Sequence, residues 1–121
     1  MSNAAEVGYT ESMANNMNFR RSASTVLDSN GYGTVRIAPS GKDWTIHYLS
    51  VRCDTHNEEA RASVYENYVG ADYLIDSTFT GSSGDTTNTE IRVREGYAVV
   101  VEWVGGDAGT TATVTYTGDE T

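Results

Sequence analysis

The sequence predicts an all-β fold: an antiparallel two-sheet β-sandwich of about eight strands, jelly-roll-like, behind an extended N-terminal arm. Three observations predict it. Twelve glycines against one proline, with abundant threonine and eight tyrosines, suit a chain whose β-branched and aromatic side chains cover pleated surfaces while glycine serves the turns. From Thr25 onward short apolar stretches alternate with turn signals at the close spacing of a sandwich or barrel. The last third, Thr78 to Gly118, is almost wholly accounted for as three strands and their glycine-rich turns. No repeat of propeller or solenoid length is present. An immunoglobulin-like topology would give the same alternation, so the sequence leaves both sandwich topologies open.

At 121 residues the chain suits one domain, placed at 25–121, with residues 1–24 as the arm. The arm is rich in Asn, Ser, Ala and Glu, with sparse apolar residues at Val7, Tyr9, Met13, Met17 and Phe19. It buries too little apolar surface to order itself alone. Thr25 to Asp28 is read as a first short strand and residues 29–33 as a turn. In GTVRIA, 33–38, Val35 and Ile37 share one face and Arg36 the other, and PSGKD turns the chain at 39–43.

The stretch Trp44 to Cys53 begins with Trp44, Ile46 and Tyr48 in phase and ends with Leu49, Val51 and Cys53 in the opposite phase. Such a switch implies a bulge or a crossing between sheets. After a polar turn at 54–59, Ala60, Ala62 and Val64 alternate in the next strand. Residues 71–79 form another, with Tyr73, Ile75 and Phe79 facing one way. A loop opens at GSSGD, 81–85, after which Ile91 and Val93 point inward while Arg92 and Arg94 point outward. Glu95-Gly96 turns into YAVVVEWV, the most hydrophobic strand and the expected sheet centre. GGDAG at 105–109 turns into the last strand, where Ala112, Val114 and Tyr116 alternate with threonines.

A formal charge of −9 and a pI near 4.4 argue against a nucleic-acid partner, which requires a basic patch, and against an anionic membrane surface. The one adjacent basic pair, Arg20 and Arg21, is either solvated or docked on an acidic partner. A single cysteine, Cys53, rules out an intrachain disulfide. The N-terminus carries no basic region followed by an apolar run, so the product is expected to be made as a soluble cytosolic protein. An extracellular fate stays open if it leaves with a particle or by lysis.

No catalytic motif emerges. Cys53, His56 and His47 invite a thiol–imidazole or zinc reading, but a zinc ligand set and a base with an oxyanion hole are both absent from the pattern; a strand-end cysteine and a turn histidine account for them. Asp54, Asn57, Glu58 and Glu59, or Asp85, Asn88 and Glu90, supply oxygen ligands for calcium, yet neither set has EF-hand spacing. GSSGD and GGDAG lack the lysine and helix of a phosphate loop and read as hairpin turns. The aromatics Trp44, Tyr48, Tyr65, Tyr68, Tyr73, Tyr97 and Trp103 offer either a stacking platform for sugars or part of a protein interface, with the tryptophans read as core. The chain is therefore expected to be no enzyme.

The run LIDSTFTGSSGDTTNT through IRVREGYAVVVEWVGGDAGTTATVTYTG, with a looser match back to Trp44, resembles the small β-sandwich proteins on the virions of tailed bacteriophages, as head decoration proteins or accessory tail components. The resemblance implies a non-enzymatic structural role without cofactor or metal. It further implies a homo-oligomer, a trimer favoured, attached to the major capsid protein lattice on the outer surface of the virion after synthesis in the host cytoplasm. In such proteins the arm often reaches across the capsid surface, which makes Val7, Tyr9, Met13, Met17, Phe19, Arg20 and Arg21 the candidate partner-binding residues. The alternative is a tail-associated, carbohydrate-binding or receptor-binding module that uses exposed aromatics.

Overall fold

The computed structural model describes residues 17–54, 59–78, 84–85 and 90–121. Its strands are β1 Met17–Val26, β2 Gly33–Ile37, β3 Trp44–Cys53, β4 Arg61–Glu66, β5 Leu74–Ser77, β6 Gly84–Asp85, β7 Ile91–Val93, β8 Val99–Val104 and β9 Thr111–Glu120, with a 3-10 turn at Ala71–Tyr73. One sheet runs β1-β9-β3, with β6 and β7 pairing to the two ends of β3. The other runs β2-β8-β4-β5. All pairs are antiparallel. Since β6 and β7 share one edge position, the sandwich has the eight positions of a jelly roll. Within a sheet, sequence-adjacent strands are neighbours only at β4–β5, whereas an immunoglobulin sandwich keeps several such hairpins. The open choice is thereby settled in favour of the jelly roll.

Residues 17–24 belong to the sandwich and not to an arm. β1 pairs with β9 along its whole length, from Met17↔Glu120 to Val26↔Thr111, so the strand expected at Thr25 is only its last rungs. An edge strand is held by its backbone ladder and needs few apolar side chains. Phe19 and Ala23 are those here, packed against the core.

The phase switch in β3 is a bulge. Register with β9 shifts between Ile46 and Tyr48, so His47 is the extra residue, and Leu49, Val51 and Cys53 return to the inner face that Trp44 and Ile46 occupy. Tyr48 is turned outward. Opposite the bulge stands Gly118, where a side chain would run into the Thr45 carbonyl oxygen. β8 is the expected central strand, lying between β2 and β4 with Val99, Val101 and Trp103 fully buried. In the 71–79 stretch the expected face is corrected: Tyr73 sits in the 3-10 turn and is exposed, Ile75 is partly buried, and Phe79 lies outside the described residues.

The registers also define two poles. Met17, Trp44, Glu120 and Val93 mark one end of the first sheet. Ile37, Val99, Glu66 and Leu74 mark the matching end of the second, joined to it through the 38–43 connection. This is the entry pole, where the chain passes into β1. Among the described residues no helix is long and apolar enough to cross a membrane.

Candidate functional site

The entry pole concentrates the exposed apolar surface. After β4 the chain turns through Asn67, whose φ of 68° is left-handed, a conformation that Asn tolerates better than most residues. Its N–H donates to the Ala98 carbonyl at 2.9 Å, and its Oδ1 accepts from the Ala98 N–H at 2.8 Å. Its carbonyl accepts from Arg36 at 3.0 Å. So latched, the loop presents Tyr68 and Tyr73 edge to face, ring centroids 5.4 Å apart. Tyr68 is 63% exposed, and Val69, Tyr73, Leu74 and Tyr97 stand out beside it. Clustered exposed apolar side chains mark interaction surfaces.

Beside this cluster lies a cleft of about 340 Å³, lined by Glu66, the run Ile91 to Arg94, and the run Tyr97 to Val99. Its lining joins four consecutive residues of β7 and its turn to residues of β4 and β8, so the cleft lies between the two sheets beside β7. The β7–β8 turn closes through Tyr97 N–H to the Arg94 carbonyl, with Gly96 at φ 95°. It is fastened to the β2–β3 connection, the Glu95 N–H donating to Asp43 and the Gly41 N–H to the Glu95 carboxylate. Ile91 and Val93 are buried, whereas Arg92 and Arg94 are exposed.

At the opposite edge of the same pole, Phe19, Trp44 and Tyr116 form an aromatic triangle with centroids 5.2 to 5.9 Å apart. The Arg21 guanidinium lies 4.8 Å over Phe19 and 5.5 Å over Trp44, a cation–π arrangement. Glu120 accepts from Trp44 Nε1 at 3.0 Å and from Arg21 at 3.1 Å. The Trp44 bond and then Arg21 hold its carboxyl below the usual range, while burial raises the Tyr116 hydroxyl. Phe19 and Arg21, expected to meet a partner, are thus engaged in the sandwich's own edge. Arg20 points to the opposite, solvent face of β1, so the two arginines form no common patch. Met17 opens β1, and Val7, Tyr9 and Met13 lie outside the described residues.

The remaining candidates are dispersed. His47 stands on the outer face at the bulge, Nδ1 2.8 Å from Glu90 and Nε2 2.9 Å from Asp119. The Asp119 bond, with Glu90 behind it, raises its pKa against a smaller desolvation effect. Cys53 is buried on the inner face beside the Thr110 hydroxyl, so the strand separates it from His47. Asp54 and Glu59 are exposed; His56, Asn57, Glu58 and Asn88 lie outside the described residues, as does the Asp85 side chain. Among the described residues no group of three or more His, Cys, Asp or Glu side chains is placed to hold a metal ion. Trp44 and Trp103 are core, Tyr48 faces out from the first sheet, and Tyr65 donates to Glu102 on the outer face of the second. Of the proposed platform, the fold brings Tyr68 and Tyr73 together, and Tyr97 stands exposed in the turn before β8.

No family model and no curated protein matches the chain. Solved structures do. A chain in the acidic stable capsid structure of Helicobacter pylori bacteriophage KHP30 matches at a TM-score of 0.59 and 11% identity, over 86% of this chain and 90% of that one. A Bacillus endospore appendage protein, of a family of disulfide-linked pili, matches at 0.51 and 13%, over 88% of each chain. That likeness is one of fold.

Proposed function

We propose that the protein is a capsid decoration protein: a non-enzymatic virion component that binds the outer face of a phage head lattice and stabilises it. The observation that carries this reading is the gathering of Tyr68, Val69, Tyr73, Leu74 and Tyr97 at the pole from which residues 1–16 also depart. One pole thereby offers an apolar contact face and a reaching segment with Val7, Tyr9 and Met13. The fold match over 86% of this chain to a chain of a phage capsid structure supports it, as does the resemblance carried by Leu74 to Gly118. The partner is the major capsid protein lattice. A homo-oligomer, a trimer favoured, repeats one modest contact about a symmetry axis and so multiplies its strength without new chemistry.

Co-sedimentation with undecorated capsids tests this, using the full chain, a form lacking residues 1–16, and the Tyr68→Ser/Tyr73→Ser variant. Saturable binding by the full chain, lost on truncation and weakened at least about tenfold by the double substitution, is the expected result. Capsids that bind none of the three sink it. The exposed Tyr68–Tyr73 pair favours one other reading, a carbohydrate-binding tail component, because ring faces stack on apolar sugar faces. Binding on a glycan array that survives the truncation and disappears in the double variant would establish that instead.

A further inference from the structure

The cleft beside β7 is apolar at its floor and oppositely charged on its two walls. Ile91, Val93, Ala98 and Val99, all buried, make the floor. On the first-sheet wall Arg92 and Arg94 stand exposed, and on the second-sheet wall Glu66 closes β4 opposite Val99. None of these three charged side chains has an ion-pair partner among the described residues. A chain of charge −9 has carboxylates to spare, yet places none on these two arginines. The base of Arg94 is fixed, because its carbonyl accepts the Tyr97 N–H at 3.0 Å and the next residue, Glu95, is bonded twice to the β2–β3 connection.

We propose that the cleft receives the C-terminal residue of a partner polypeptide, with a large apolar side chain on the floor, its α-carboxylate at Arg94 with Arg92 beside it, and its backbone N–H at Glu66. This goes beyond the decoration reading, which uses the tyrosines around the cleft and not the cleft itself. Size selects the occupant. At about 340 Å³ the cleft is at the small end of ligand pockets, with room for a single large residue and not for a passing strand. Charge sets its orientation. The N–H and the carboxylate of a terminal residue lie on either side of its Cα, as Glu66 and the arginines lie on either wall. An internal Asp or Glu beside an apolar residue brings a carboxylate as well, but also a continuing chain that the cleft must hold. Arginine's planar fork binds a carboxylate through two parallel hydrogen bonds, and capture of a terminal carboxylate is a recurring mode of peptide recognition. Complementary charge supplies the specificity, and burial of the side chain on the floor supplies much of the affinity.

An NMR titration of the full chain with short peptides tests this without any capsid, so its failure and that of the decoration reading are separable. Acetyl-Gly-Ala-Phe with a free carboxylate should saturably shift the resonances of Glu66 and residues 91–99. The same peptide as its C-terminal amide should bind at least about tenfold more weakly, and Arg94→Gln in the protein should weaken the free acid by a similar factor while leaving the amide unaffected. Added salt should weaken the free acid and spare the amide. An amide that binds as well as the acid overturns the proposal, since the cleft would then be a plain apolar pocket. Equal binding of acetyl-Phe-Asp-Gly amide overturns it in favour of an internal acidic loop. The absence of saturable shifts, or shifts confined to another surface, overturns it outright.

Discussion

His47 is where pH enters this fold. The bulge that makes it the extra residue of β3 also turns its ring onto the outer face, between Glu90 and Asp119. Its raised pKa means that the contribution of the clasp is fully present below the ordinary histidine value of about 6.5 and is lost as pH rises through the folded value. The ring is 43% exposed, which limits the effect to less than about 1 kcal/mol. In thermal melts, His47→Gln should therefore cost more at about pH 5.5 than at about pH 8.5; an equal loss at both would remove His47 as the source. Glu120 acts in the opposite direction: its lowered carboxyl contributes above the ordinary value of 4.5 and loses that contribution as pH falls through the folded one. His47 was visible in the sequence only as a neighbour of Cys53. Its carboxylate partners come from distant segments, and only the strand registers bring them together.

At the scale of elements, legibility followed hydrophobic pattern. β8 and β9 were plain because nearly every inward position is apolar, and the β3 bulge because the pattern changes phase. β1 was not. Its inward positions carry Phe19, Arg21, Ala23 and Thr25, a sequence without apolar alternation, and what holds it is the ladder to β9, which leaves no mark on side-chain pattern. Truncations separate the two views. Removing residues 1–16 spares every rung and should change Tm by no more than about 5 °C. Removing 1–22 strips Met17 to Ser22 from β9, uncovers Trp44 and Tyr116, and deprives Glu120 of Arg21; differential scanning calorimetry should show Tm lowered by at least about 10 °C. The 1–16 deletion is for this reason the one suited to the capsid assay. The tyrosine site was half legible: composition named the tyrosines, but the Asn67 latch decides which of them meet.

For the molecule as a whole, the jelly-roll connections interleave the sheets, so neither has a core without the other. Trp44 lies in one and Trp103 in the other, both buried. Urea unfolding followed by fluorescence in Trp44→Phe and in Trp103→Phe should give, within each variant, the same midpoint as far-UV circular dichroism. A midpoint that differs between probes would mean the sheets part separately. The pairing of β1 with β9 has one more consequence, and it concerns synthesis. On the ribosome, β1 emerges first and must wait for the segment that lies between it and β3, which emerges after every other strand. Until residue 120 clears the exit tunnel, β1 and β3 lack the strand that joins them, so Phe19 and Trp44 stay without their finished sheet and the nascent segment is a client for whatever shields apolar side chains in the producing cell.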